Sequence, residues 1–269
     1  MAPGGKSSLT RVALSIAGSD SGAGAGIQAD LKTFSAHAVY GTTAITAVTA
    51  QNTLGVSTFQ AIPADLVTAQ IEAVVSDIGV HAAKTGMLPN AAIVEAVAAA
   101  VADLEIPLLV IDPVMVASSG DRLLDDEAVA ALTTELLPRA LLVTPNVTEA
   151  AALAGFAIES EADRREAARA LAALGAANVL ITGGHLATPG ISDLLFDGHT
   201  FHEFRGERVA GRHTHGTGCT FASAITAHLA LGRSVIEAIP LAQQYVAGAI
   251  RHAPHLGHGD GPMNHFWRA

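Results

Sequence analysis

His215-Gly216-Thr217-Gly218-Cys219-Thr220 gathers an imidazole, two glycines, two hydroxyls and the chain's only cysteine into consecutive positions. Glycines let a backbone approach a ligand closely and turn its N–H groups toward one point. Phe221, Ile225 and Leu229 follow four apart, the apolar stripe of a helix. A glycine turn opening a helix favours negative charge, because unpaired N–H groups and the helix dipole point the same way. A thiol at such a helix start ordinarily has a lowered pKa. The same string also fits a tight loop around a buried, inert cysteine.

Other candidates stand at the ends of apolar runs. Leu108-Leu109-Val110-Ile111 ends in Asp112, a candidate ligand for a metal or a water. Leu141-Leu142-Val143-Thr144-Pro145 ends in Asn146, with Glu149 three positions on, which is the spacing of a helix capping box. Gln51-Asn52 closes the run that starts at Ala44, where amides can read a ligand's donor–acceptor pattern or simply cap a turn. A glycine loop from Gly18 to Gly26 permits close contact with a flat ligand. Asp30, one turn beyond it, either faces the same cleft or serves the helix dipole.

These residues need elements to hold them. Val12–Ala17 reads as a buried strand, followed by the glycine loop and a helix over about 27–37. Ala44–Ala50 reads as a second strand. Helices are expected over about 65–76, from Asn90 to about 104, over about 161–174, and from Ser234, whose Glu237 completes a capping box. Strands at 108–111, 141–143 and 178–181 alternate with them, and 191–196 with 200–204 forms a hairpin. The alternation predicts an α/β fold, a mostly parallel sheet covered by helices on both faces. Residues 1–10 read as a flexible tail and 11–269 as one domain. Gly5-Lys6-Ser7 is not a P-loop, since no strand or upstream glycine stands where one is needed.

Composition narrows the chemistry. The chain has 269 residues, half of them apolar and 15% charged, so a large core is easily buried. A net charge of −10 argues against nucleic acid or an acidic membrane surface as partner. Phosphates, if bound, need local backbone dipoles and a cation. One cysteine suits a reducing compartment, and no apolar stretch reads as a signal peptide or span, so a cytoplasmic protein is expected. Gly22, Gly24 and Gly26 miss the dinucleotide-binding pattern, because Ile27 replaces its last glycine and no carboxylate lies between Ala44 and Asn52. Zinc is not supported: His213, His215 and Cys219 lack the paired spacing of its ligands.

In order along the chain, Ala17-Gly18-Ser19-Asp20 through Gly26-Ile27-Gln28-Ala29-Asp30, then Ala50-Gln51-Asn52-Thr53, form one recurring set of strings. Lys84-Thr85-Gly86-Met87, Asp112-Pro113-Val114-Met115, Thr144-Pro145-Asn146, Gly183-Gly184-His185 and Thr214 to Thr220 complete it. Together they resemble the hydroxymethylpyrimidine/phosphomethylpyrimidine kinases of thiamine biosynthesis, over about residues 11–266. The resemblance implies a ribokinase-like fold and transfer of phosphate from MgATP to 4-amino-5-hydroxymethyl-2-methylpyrimidine, then to its monophosphate. It implies that Gly216, Thr217, Gly218 and Cys219 offer N–H groups to the transferring phosphoryl, with Cys219 in the place of the proton acceptor. Gln51 would hold the pyrimidine, with Gly18, Asp30, Met87 and Val114 around it. Asn146 and Thr182 would face the nucleotide, Asn146 acting with Glu149 and Asp112 on magnesium. Thr182 stands where many relatives have lysine, which shifts phosphate charge onto magnesium or Lys84. Arg212-His213 replaces a common Lys-Asn. A homodimer is expected by resemblance only. Two alternatives remain at this level: a pyridoxine/pyridoxal kinase of the same superfamily, and a non-catalytic binder using the same cleft.

Overall fold

The computed structural model describes residues 10–115, 124–183 and 190–268; the 1–9 tail and Gly184-His185 lie outside them. Strands β1 (Val12–Ala17), β2 (Tyr40–Ile45), β5 (Ala82–Thr85), β6 (Leu109–Ile111), β7 (Leu142–Val143), β8 (Val179–Ile181), β9 (Ile191–Phe196) and β10 (Phe201–Gly206) share one sheet. β3 (Ala47–Asn52) and β4 (Gly55–Ala61) form a separate antiparallel pair. The helices are α1 (Gly26–Ala36), α2 (Ala64–Asp77), α3 (Ala91–Asp103), α4 (Asp126–Ala131), α5 (Val147–Ala154), α6 (Glu161–Ala173), α7 (Thr217–Ala230) and α8 (Val235–Arg251).

The large sheet has the order β10-β9-β8-β7-β6-β5-β1-β2, parallel from β2 to β8 and antiparallel over the last two pairs. Successive strand residues point to opposite faces, so each strand feeds two cores. Leu14, Ile16, Leu109, Ile111 and Val179 enter one core, shared with α2 to α6. Ala13, Val110, Leu142 and Leu180 enter the other, filled by Phe34 of α1, Ile225 of α7 and Tyr245 of α8. Burial on both faces explains why these strands read as continuous apolar runs.

Capping fixes the helix starts as expected. Asn90 accepts from the Ile93 N–H, and Ser234 with Glu237 forms a reciprocal box. The second strand differs from expectation. The chain leaves the sheet at Thr46, whose N–H reaches the Ala17 carbonyl at 3.0 Å while its hydroxyl donates to the Met87 carbonyl at 2.6 Å. Residues 47–52 then pair only with β4, so Gln51 rides on a projecting hairpin. Nothing local marks that departure, because Thr46 is held by a partner distant in sequence. β4 and α4 likewise lack a sequence marker strong enough to be expected.

Candidate active site

A cleft of about 1090 Å³ runs along the C-terminal ends of the parallel strands. It is the position where an open α/β sheet binds ligands. Gly18, Gln51, Met87 and Val114 line one end, Asn146 and Thr182 the other, and Asp112, Glu149 and Gly216 to Cys219 lie along it.

Two glycine turns interlock at its floor. Gly216, the residue before α7, has φ +81°, and a Cβ there would stand 1.9 Å from the Gly24 carbonyl oxygen. A Cβ on Gly24 would in turn stand 2.4 Å from the His215 ring. Only bare backbone fits at both crossings. Asp20 locks them: its carboxylate accepts from the N–H groups of Gly22, Gly24 and Ala25 at 2.8–2.9 Å, and meets His215 Nε2 at 2.8 Å. Burial alone would raise the Asp20 pKa, but His215 and these N–H groups hold it below the ordinary carboxylate range. The sequence points to His215 only as part of the glycine turn, and it does not single out Asp20. The available signal was Asp-x-Gly, the start of a side-chain-closed turn.

The first turn of α7 opens into the cleft, as expected. One N–H is already used, since Thr217 donates to the Thr214 carbonyl at 3.1 Å. Gly218 and Cys219 sit in the turn whose N–H groups have no helical acceptor. Cys219 is half-buried, and its thiol departs from expectation. Burial pushes it up to about 12; Lys84 and the Gly26 N–H oppose the shift, and Asp112 and Asp30 add to it. Burial decides its state more than the helix start does.

Asp112 and Glu149 are the acidic wall. Asp112 Oδ2 is buried without a hydrogen-bond partner among the described residues. Burial raises the Asp112 pKa to about 6, with Asp30 adding while Lys84 and the Cys219 thiol oppose. Glu149 rises to about 8 through burial and the Asp112 charge, against N–H bonds from Asn146 and Met115. Among the described residues the two carboxylates share one nearby cation, Lys84 Nζ at 4.0 Å from Asp112 Oδ2. A hard cation would supply the rest of the compensating charge, and the pair fits magnesium, which takes one or two carboxylates and completes its shell with water and phosphate oxygens. No cluster of three or more acidic, histidine or cysteine ligands occurs among the described residues, zinc ligands included. The capping box is real as well: Asn146 Oδ1 accepts from the Glu149 N–H and Glu149 Oε2 from the Asn146 N–H, both at 2.9 Å.

Two expected residues are not on the cleft wall. Asp30 and Lys84 are fully buried behind it. Asp30 accepts from Ser15 Oγ and Ser223 Oγ at 2.6 Å each, and both its oxygens lie 3.1 Å from Lys84 Nζ. Asp30 and Lys84 therefore pack toward each other and away from the cleft. Sequence reading placed them by motif, whereas mutual charge compensation decides their position.

At the substrate end, Gln51 Nε2 lies 3.4 Å from His215 Nε2, and Ser21 bonds both the N–H and the carbonyl of Gln51 at 2.8 Å. The hairpin backbone is thereby tied to the glycine loop, and the Gln51 side chain faces the turn before α7. At the other end Thr182 pairs with Asn146 through a parallel bridge and brings no charge. Arg205 and Arg208 line that end instead, unforeseen in the sequence. Asp193, also lining it, accepts from the Gly183 N–H at 2.9 Å and from Gln243 at 2.8 Å.

A glycine loop, an anion-binding helix turn and paired carboxylates on a doubly covered, mostly parallel sheet define a ribokinase-like phosphotransferase. The chain belongs to the phosphomethylpyrimidine kinase family, whose sequence model matches residues 20–264. It is 51% identical over 263 residues to the hydroxymethylpyrimidine/phosphomethylpyrimidine kinase of Rhizobium meliloti, covering 97% of this chain and 98% of that one. It is also 51% identical to the thiamine biosynthesis bifunctional protein of Geobacter sulfurreducens, spanning 95% of this chain but about half, 52%, of that longer protein. Among solved structures, a Bacillus subtilis pyridoxal kinase in complex with ADP superposes with a TM-score of 0.88 at 41% identity, covering 95% of this chain and 97% of that one. A Clostridium difficile phosphomethylpyrimidine kinase gives 0.80 at 40% identity, covering 90% and 100%. No described helix is long and apolar enough to cross a membrane.

Proposed function

We propose that the chain phosphorylates 4-amino-5-hydroxymethyl-2-methylpyrimidine with MgATP, and then phosphorylates the monophosphate to the diphosphate. The observation that carries this reading is the convergence of Cys219, Asp112 and Glu149 on one cleft whose far end holds Gln51. Phosphoryl transfer needs positioning and charge stabilisation more than covalent help from the protein.

In this reading Gln51, held by Ser21 and facing His215, hydrogen-bonds the pyrimidine ring nitrogen and amine. Gly18, Met87 and Val114 sandwich the ring. The N–H groups of Gly218 and Cys219 receive the negative charge that builds on the transferring phosphoryl. Asp112 and Glu149 would hold magnesium, which would supply charge neutralisation to the phosphates, while Asn146 and Thr182 border the nucleotide. Cys219 stands at the substrate hydroxyl as proton acceptor. Burial raises its thiol pKa to about 12, so that role requires a cation close enough to lower it.

Pyridoxal as a second substrate of the same cleft is favoured by one observation: the similar Bacillus subtilis structure is a pyridoxal kinase. A purely binding role leaves the opposed Cys219 and acidic pair unexplained.

The test is ADP release by the purified protein with hydroxymethylpyrimidine, its monophosphate and pyridoxal. Turnover of both pyrimidines is expected; turnover of neither overturns the reading. Cys219→Ala is expected to lower kcat by ~10²-fold or more, the scale of a general base. Near-normal kcat would leave only the N–H role.

A further inference from the structure

Lys84 on β5 is fully buried yet serves two carboxylates. Its Nζ stands 3.1 Å from both oxygens of Asp30 and 4.0 Å from Asp112 Oδ2. The two anions are differently provided for. Asp30 also receives the hydroxyls of Ser15 and Ser223 at 2.6 Å, so it is saturated and immobile. Asp112 Oδ2 has no hydrogen-bond partner among the described residues, and it borders the cleft.

The mount is rigid because it ties three elements. Ser15 belongs to β1, Asp30 to α1 and Ser223 to α7. Ser223 lies one helical turn beyond Cys219, on the same side of α7. The carboxylate that anchors Lys84 therefore also anchors the helix whose first turn meets the phosphoryl group. A buried pair serving stability alone is replaceable by apolar side chains at little cost. A lysine extended toward a second, cleft-lining carboxylate has a further use.

We propose that Lys84 is a positioning residue for phosphoryl transfer. Mounted on Asp30, its ammonium fixes the Asp112 carboxylate and keeps the acidic wall in register with the α7 turn. This rests on the kinase reading above. It replaces the expectation that Lys84 meets the nucleotide directly.

The test compares wild type, K84M/D30N and D30N for thermal unfolding and for kcat and KM. Methionine and asparagine fill similar volumes and leave no unpaired charge at the anchor, so K84M/D30N is expected to fold with a midpoint near that of wild type. Its kcat with hydroxymethylpyrimidine is expected to fall by ~10²-fold, the usual result of a misplaced reacting group. KM for ATP should change by less than about threefold, because Lys84 makes no ground-state contact. D30N keeps the ammonium but loosens its mount, so it should lose stability and part of kcat, less than the double variant loses. A merely structural pair gives the opposite pattern: K84M/D30N regains wild-type kcat along with its stability, which overturns the proposal. Should the double variant unfold, D30N decides alone: a fall in kcat beyond its folded fraction, with KM for ATP within about threefold, supports the proposal, and a kcat that follows the folded fraction only overturns it. Absence of turnover in wild type would sink the kinase reading itself, a distinct result.

Discussion

His215 Nε2 lies 2.8 Å from Asp20 Oδ2, across 195 residues of sequence. The contact fastens the loop after β1, which borders the pyrimidine end, to the turn that opens α7. Substrate pocket and anion-binding turn are thus one rigid piece, sealed by the Gly216–Gly24 crossing.

Asp20→Ala removes the acceptor of three backbone N–H groups and of His215 together. Loss of these bonds should cost on the order of 3 kcal/mol in chemical unfolding. kcat/KM should fall at least about tenfold, since both loops lose their register. A variant with unchanged kcat/KM would show that the clamp does not set the reactive geometry.

Gly216→Ala meets backbone rather than a movable side chain, with the new Cβ 1.9 Å from the Gly24 oxygen and φ at +81°. The two turns must separate. Turnover is expected to drop by more than about 10²-fold while the sheet core stays folded, as judged by circular dichroism.

The raised thiol pKa is directly measurable, because Cys219 is the only cysteine. A group whose pKa is pushed up to about 12 has little thiolate at pH 8. Alkylation by iodoacetamide should be slow there and accelerate only well above the ordinary thiol range of about 8.5. Rapid labelling at pH 7–8, roughly as fast as a free thiol, would mean that the protein alone already stabilises the anion.

Acid stability should be governed partly by His228 and His265. Burial lowers each to about 4, with His37, Arg233 and Arg268 adding at His228 and Lys32 at His265. Both ring nitrogens of His228 lack a hydrogen-bond partner among the described residues. The unfolded chain binds a proton near pH 6.5 and the folded one resists until about 4. Stability is therefore complete above the unfolded value and is lost as pH falls through that window. The His228 share is on the order of 3 kcal/mol. His228→Leu should flatten the acid limb of a stability–pH curve; an identical limb would contradict the buried neutral imidazole.

Thr182 lies at the nucleotide end without a charge, while Arg205 and Arg208 line the same region. Thr182→Lys should lower KM for ATP by about three- to tenfold with kcat within about twofold, the pattern of added uniform binding. An unchanged KM would show that the arginines already neutralise the phosphates.

The amino-acid sequence by itself determined the local devices. Glycines at 216 and 218 before an apolar stripe dictate a helix with an open N-terminus. Apolar runs that stop at Asp112 and Asn146 dictate buried strands that end at a ligand face. Ser234 with Glu237, and Asn146 with Glu149, dictate caps. Each is written within one turn or one strand, where backbone geometry depends on near neighbours.

Only the tertiary structure decided where charge is compensated. Asp30 and Lys84 share motifs with pocket residues, yet three-dimensional packing turns them toward each other and away from the cleft. The Cys219 thiol stands at a helix start that ordinarily lowers its pKa, and burial beside Asp112 and Asp30 raises it. Thr46 divides one expected strand into two, where its hydroxyl meets the Met87 carbonyl. Desolvation and Coulomb forces act through space, between groups that the sequence keeps far apart.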